Sequence, residues 1–363
     1  MNQKIYRELS TFASGASLLI RYPQEDKVRY YHDSHFVLLD KIEDLKFQRG
    51  FVFAPFDLAS GLPILHLPEN KCVEVSLDKI EIDPIDLDNR QFPATDLYRR
   101  EFATFNHAVA SGEFHKLVLA REAKVGLNMT DDQYPQLFFS LVSLMPSACV
   151  YMLHIPTKGI WIGASPEILL HSFESGAETM ALAGSVSNLN NKSPESFGSK
   201  NLHEHEVVVN YIEDVLKCLD IPYHTKPIET VPAGKVCHLR TPFSIDEPLS
   251  LEMMARVVAR LHPTPAVAGL PKENAMRFII DNESLQRDYY AGFFGLWNVD
   301  NQTSLYVNLR CANIQYSSND ANLVGRIFAG GGIMPSSQCE EEWQETVLKQ
   351  SVIRQVLKPY LNE

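Results

Sequence analysis

Ala329-Gly330-Gly331-Gly332-Ile333 runs into Glu340-Glu341-Glu342-Trp343-Gln344-Glu345-Thr346, with Lys349 close behind. The glycines predict a flexible hinge. The acidic stretch predicts a helix start, because carboxylates favour the positive end of a helix dipole. On that helix Glu342, Glu345 and Lys349 fall at i, i+3 and i+7 and project from one face. Alone, the stretch is either a solvated first turn or a place where two carboxylates and an ammonium meet a hard cation and an anionic ligand. The rest of the chain favours the second reading.

A length of 363 residues allows two or more domains or one large α/β domain. With 45% apolar and 21% charged residues, the composition is that of an ordinary globular protein with a sizeable core. The net charge of -12, without a basic stretch, argues against nucleic acid as a partner. It also repels anionic substrates at long range, unless a local positive cluster or a metal ion overcomes that field. Cys72, Cys149, Cys218, Cys237, Cys311 and Cys339 are scattered without a C-x-x-C pair. Neither a zinc ribbon nor a redox pair is supported, and a reducing cytoplasm is expected. The N-terminus lacks a basic start followed by a long apolar core, and no apolar run approaches bilayer length, so no membrane partner is expected.

Organisation emerges from periodicity. In the first 90 residues, short strand-like runs (Ser17–Arg21, Phe51–Ala54) alternate with Pro- and Asp-rich connections, and Asp83–Asp88 reads as a linker. Asp96 is positioned to cap a helix carrying Tyr98, Phe102, Phe105 and Val109 at helical spacing, ended by Ser111-Gly112. His115–Arg121, Val150–Ile155, Gly159–Ile162, Leu305–Ile314 and Asn322–Phe328 read as strands. A helix over Lys200–Leu219 buries Val208, Tyr211, Ile212, Val215 and Leu219, and a C-terminal helix buries Leu348, Val352 and Val356. The interleaving lacks a regular βαβ beat, which points to a sheet-rich core with helices outside.

Several polar residues stand where apolar ones are expected. Lys116 opens an apolar strand, where it is either snorkelling at a strand end or a buried amine able to act as a base. Glu167 follows a strand and a tight turn, as an ordinary turn glutamate or as a general acid. Ala181–Ser185 reads as a strand entering a small-residue turn whose exposed N–H groups suit a carboxylate. His203 and His205 are two apart and cannot share a helix face, which excludes an H-E-x-x-H zinc pair. Glu204 is left as an oxygen donor that, with the carboxylates of the last helix, matches the sparse oxygen shell of magnesium.

In order, the motifs are KLVLAR (Lys116–Arg121), GASPE (Gly163–Glu167), ALAGS (Ala181–Ser185), Glu204-His205, HPTPAVAGLP (His262–Pro271), Arg287-x-x-Tyr290-Ala291-Gly292, Arg310-Cys311-Ala312 and the terminal AGGGI…EEWQETVLK. Together they resemble the chorismate-utilising enzymes: isochorismate synthases of menaquinone and siderophore pathways, salicylate synthase, and component I of anthranilate and aminodeoxychorismate synthases. The resemblance implies an α+β fold with a large, mainly antiparallel core of two stacked sheets and helices packed outside. Residues 91–363 would form the chorismate-binding catalytic domain, and 1–90 a loosely matching N-terminal part of the same unit. It implies Lys116 as the base that activates water for attack at C2 of chorismate. Glu167 would be the acid for the departing C4 hydroxyl. Glu204 and Glu345 would ligate Mg²⁺, with Glu342 helping through water. Gly184, Ser185, His262, Ala266, Tyr290, Arg310, Gly330, Gly331, Gly332 and Lys349 would hold the substrate. Both catalytic groups must then be shifted against their usual charge states.

Within the family, the aminating synthases resemble one another in a His-Pro-x-Gly-Thr segment, whereas this chain has Pro265-Ala266-Val267. Ala266 offers ammonia no hydroxyl partner, which implies water as nucleophile and no glutaminase subunit. Leu18-Leu19-Ile20-Arg21 lacks the glutamate of the L-L-E-S segment that resembles a tryptophan feedback site. Isochorismate synthase is favoured over salicylate synthase, which adds pyruvate elimination. The segment Asn313–Arg326, with Ser317–Asp320, reads as an enlarged hairpin turn away from the site.

Overall fold

The computed structural model describes residues 12, 15–69, 72–77, 93–156, 158–187, 193–317 and 322–362. Two sheets carry the fold. The first runs, in spatial order, β15 (Gly269–Leu270), β7 (Lys116–Leu127), β19 (Leu323–Ile333), β18 (Cys311–Tyr316), β9 (Gly159–Ser165), β8 (Cys149–Ile155), β1 (Ala16–Arg21), β2 (Lys27–Ser34), β6 (Cys72–Ser76). The second runs β12 (His224–Thr225), β14 (Val236–Ile245), β11 (Gly176–Ser187), β10 (Ile168–Phe173), β17 (Gln302–Val307), β16 (Phe293–Val299), β4 (Gly50–Ala54), β5 (Ile64–Pro68), β3 (Val37–Leu39), with β13 (Glu229–Ala233) also on β14. Neighbouring strands on both paths pair antiparallel. The described strands before residue 78 are shared between the two sheets.

The apolar runs are continuous because the first sheet is covered on both faces. Strand side chains alternate, so Leu18, Ile20, Tyr151, Leu153 and Trp161 face the second sheet, while Leu19, Val150, Met152, Ile160 and Ile162 face outward. Aromatic contacts tie the sheets together: Tyr151 meets Phe294 at 4.3 Å between ring centres, and Phe53 meets Trp161 at 5.7 Å. Such pairs add about 0.5–1.5 kcal/mol each beyond burial. The outward face is covered by two of the six α-helices of the described residues, which in chain order are α1 (Asp96–Ala110), α2 (Tyr134–Leu144), α3 (Gly198–Cys218), α4 (Leu251–Leu261), α5 (Lys272–Asn282) and α6 (Cys339–Leu357). α2 contributes Leu137, Phe138 and Leu141, and α6 contributes Val352, Ile353 and Val356. No helix of the described residues is long and apolar enough to cross a membrane.

Four expectations are corrected. Thr95, not Asp96, caps α1, its hydroxyl accepting from the Tyr98 N–H at 3.2 Å. Leu348 is only half-buried, so the core stripe of α6 runs through Val352 and Val356 without it. Leu305–Ile314 is two strands: β17 belongs to the second sheet and β18 to the first, and the chain crosses between them at Asn308-Leu309-Arg310. Buried Asn308 holds that crossing, donating to the Tyr289 carbonyl and accepting from the Tyr151 hydroxyl, both at 2.8 Å. The glycine run, fourth, is strand and not hinge: Gly330–Gly332 pair in register with Ala120, Leu119 and Val118 of β7. Flanks of the expected hairpin, Asn313–Tyr316 and Leu323–Arg326, are paired strand, while residues 318–321 lie outside the described residues. Asp83–Asp88 lies outside them as well.

Arg21, at the end of β1, is 1% exposed and bonds only to carbonyls: Met145 at 2.7 Å, Pro146 at 2.6 Å, Tyr22 at 3.0 Å and Val142 at 3.3 Å. Three of these belong to the C-terminal end of α2 and the residues just after it, where helix carbonyls lack partners and a cation suits the dipole. Arg21→Leu would remove the charged donor from all three, leaving the Met145 and Pro146 carbonyls only the backbone N–H of Ala148 and Gln24. It is expected to lower unfolding free energy by about 3 kcal/mol in urea titration. A loss below about 0.5 kcal/mol would show that the cap is immaterial.

Candidate active site

Strands β7 and β19 lie side by side with Lys116 at the entry of one and the glycines near the end of the other. Each glycine leaves room that a side chain would fill. A Cβ on Gly332 would fall on Glu204 Oε1, 2.8 Å from Glu204 Cδ and 3.0 Å from Lys116 Cε. One on Gly331 would stand 3.5 Å from Glu342 Oε2 and 3.9 Å from Glu345 Oε1. On Gly330 it would stand 3.0 Å from the Tyr290 hydroxyl. The glycines are present because carboxylates from α3 and α6 come down onto the backbone of β19.

Each of those carboxylates is matched to a lysine. Lys116 Nζ, fully buried, stands 2.9 Å from Glu204 Oε1. Among the described residues, Nζ has no other polar partner. Glu342 pairs with Lys200, and Glu345 Oε1 lies 2.6 Å from Lys349 Nζ, which also donates to the Gly330 carbonyl at 2.9 Å. Burial pushes the Glu204 carboxyl up, but Lys116, Lys200 and Lys349 together hold it below its ordinary value. Glu342 goes the other way, to about 7, through burial and then the like charge of Glu345, partly offset by Lys200.

The three glutamates supply oxygen donors only, and Glu342 and Glu345 repel each other. A hard divalent cation would relieve that repulsion, so the donor set fits Mg²⁺. As they stand, among the described residues, no three acidic, His or Cys side chains are close enough to share an ion, each glutamate being turned onto its lysine.

Facing this group across a cleft are Glu167, Ser185, His238, Tyr290 and Arg310. Glu167, between β9 and β10, is 3% exposed. Burial pushes its carboxyl up to about 7, against the pull of Lys116 and Arg310. The Thr264 hydroxyl stands 3.5 Å from its Oε1, at the outer limit of a hydrogen bond. Arg310 sits at the sheet crossing with φ of 47°, and its Nη2 lies 2.7 Å from His238 Nε2. On the same ring, His238 Nδ1 lies 3.0 Å from Ser185 Oγ.

Ala181–Ser185 does not end in a turn: it continues through β11 with a bulge at Gly184, φ 71°, which shifts the register so that Ser185 faces His238 on β14. Gly184 is required there because a Cβ would meet the Asn201 carbonyl of α3 at 2.8 Å.

Gly184, Ala266, Gly330, Gly332, Lys349 and Glu204 also line the cleft. Ala266 belongs to a loop bolted to β7: Arg287 donates to the Val267 and Val118 carbonyls at 2.8 Å and pairs with Glu283 at 2.6 and 2.7 Å, and Glu283 accepts from the Ala120 N–H. Lys116, Gly331, Glu342 and Glu345 stand behind the lining, at the base of the glycine run. His262 is placed elsewhere. Its Nε2 lies 3.0 Å from the Pro55 carbonyl, its ring packs edge-on against Phe293, and it does not line the cleft. His203 is exposed, while His205 is buried with Nε2 2.8 Å from Thr241 Oγ1.

Two residues were missed from sequence. Lys200 lies four positions before Glu204 on α3, a same-face spacing that was readable. His238 interrupts the apolar alternation of β14, a weaker signal, since a histidine in a strand is more often simply packed.

A family model described as a chorismate binding enzyme matches residues 69–358. Isochorismate synthase EntC of Escherichia coli (strain K12) is 28% identical over 284 residues, 74% of this chain and 69% of that protein. Isochorismate synthase MenF of the same strain is 31% identical over 262 residues, 69% of this chain and 57% of MenF, so the aligned part spans little more than half of that relative. A Bacillus anthracis structure described as a 2,3-dihydroxybenzoate-specific isochorismate synthase, DhbC, superposes over 100% of both chains with a TM-score of 0.77 at 23% identity, a likeness of fold. By the extent of that family match, the chain belongs to the chorismate-binding enzymes.

Proposed function

We propose that the protein is an Mg²⁺-dependent isochorismate synthase, an isomerase that converts chorismate to isochorismate. The observation that carries the reading is Glu167: a buried carboxyl with a value pushed to about 7, in one cleft with Arg310 and next to the buried Lys116–Glu204 pair. The names of the relatives supply the substrate.

Lys116, released from Glu204 and in its neutral amine form, takes a proton from water, whose oxygen bonds to C2. The ring double bonds shift, and the C4 hydroxyl leaves with the proton of Glu167. One proton is gained by the enzyme and one released, so substrate and product are isomers. Mg²⁺ bound by Glu204 and Glu345, with Glu342 through water, would supply the positive charge that grips the ring carboxylate. Arg310, Tyr290, Ser185 and Lys349 orient the rest of the dianion. Ala266, lining the cleft without a hydroxyl, supports water rather than ammonia as nucleophile, and with it independence from a glutaminase. Lys116 pairs with Glu204, so a cation held by Glu204 would compete with the base for that carboxylate.

Purified protein with chorismate and Mg²⁺ is expected to yield isochorismate by chromatography. Salicylate with pyruvate, or an amino product on adding ammonium, would select another member of the family. Lys116→Ala and Glu167→Gln are each expected to lose at least about 10²-fold in kcat while remaining folded. Turnover left intact by either substitution would end the mechanism.

The carboxyl of Glu167 is protonated below about 7 and ionised above it. kcat/KM should therefore fall on the alkaline side of about pH 7, approaching tenfold per pH unit. A profile still rising at pH 9 would remove Glu167 as the acid.

Gly332→Ala would drive Glu204 aside. It is expected to weaken Mg²⁺ binding by at least about tenfold in calorimetry and to cost about 1–3 kcal/mol of stability. Gly331→Ala, with no atom nearer than 3.5 Å, should be far milder. Equal effects from the two would contradict the cradle.

A further inference from the structure

We propose that His238 is a positioning residue that aims two donors, the Arg310 guanidinium and the Ser185 hydroxyl, at an anionic group of the ligand. The argument is one of donors and acceptors. Arg310 carries only N–H groups, so at 2.7 Å His238 Nε2 must accept and cannot bear a hydrogen. The hydrogen of the neutral ring is therefore on Nδ1, which lies 3.0 Å from Ser185 Oγ. Ser185 thus cannot donate to the imidazole, and its own hydrogen is left for another acceptor, with the cleft in front of it.

Neutrality of the ring follows from its surroundings. Burial, then the charges of Arg310 and Lys349, hold the imidazole well below its ordinary value. A guanidinium facing a neutral ring keeps its full charge for the ligand, unlike Lys116, Lys200 and Lys349, each already matched to a glutamate. The bulge at Gly184 and the sheet crossing at Arg310 are the two backbone irregularities that bring these side chains to one histidine. No bond is made or broken by His238. It fixes direction, and its loss should appear in binding more than in the chemical step.

The inference rests on the proposed function, because the anion is taken to be a carboxylate of chorismate. The test is a set of kinetic measurements on full-length His238→Leu, His238→Gln, Ser185→Ala and the double variant His238→Leu/Ser185→Ala. Thermal denaturation first verifies that each is folded. His238→Leu is expected to raise KM for chorismate about 10–100-fold with kcat changed less than about fivefold. His238→Gln, whose amide has one acceptor and one donor end, should recover most of that loss. Ser185→Ala should raise KM when His238 is present and add little once His238 is leucine, since the hydroxyl then has no imposed direction. Fully additive effects, an unchanged KM in folded His238→Leu, or no rescue by glutamine would overturn the role of His238 while leaving the synthase reading intact. Failure of the wild-type protein to bind or turn over chorismate would overturn both.

Discussion

A lysine and a glutamate, both out of water, meet at 2.9 Å above a glycine that has no side chain to keep them apart. Removing two charges from water costs several kcal/mol per ion, so such a pair is a poor device for stability by itself. Its arrangement makes sense as a site. Strand β7 supplies Lys116, helix α3 supplies Glu204, and β19 supplies the empty space of Gly332. The two packed sheets and their covering helices hold these elements in register.

Two backbone irregularities shape the cleft. β11 bulges at Gly184, and the chain leaves one sheet for the other at Arg310 in a left-handed backbone conformation. Each departure turns a polar side chain into the cleft, Ser185 in one case and Arg310 in the other. A non-glycine residue at φ of 47° is maintained only by surrounding constraint, here the hydrogen bonds of Asn308.

Charge follows the same economy of placement. Within a chain of net charge -12, Lys116, Lys200, Lys349 and Arg310 gather at and behind one cleft. Three lysines are matched to three glutamates, and Arg310 is matched to an uncharged histidine. The glutamates are therefore held by lysines, whereas the arginine faces an uncharged ring.

Much of this was legible in the residue order. Period-two alternation and helical spacing located the main strands and helices, because burial imposes those periods on any sequence that packs. Lys116 stood out in an apolar strand, Glu167 after a strand and tight turn, and Glu204 in a polar helix opening, and ordered motifs tied them to a family. The glycine run was misread as a hinge, because glycine serves flexible turns and crowded strands alike. Only the approach of Glu204, Glu342 and Tyr290 from three other elements shows which is at work. Leu305–Ile314 read as one strand because local pattern contains no record of which sheet a residue joins. The pairings of His238 with Arg310 and of Lys200 with Glu342 were invisible for the same reason: they are contacts between residues 72 and 142 positions apart. Local sequence sets periodicity and chemistry; partnership across such distances is decided where the two sheets and α6 pack together.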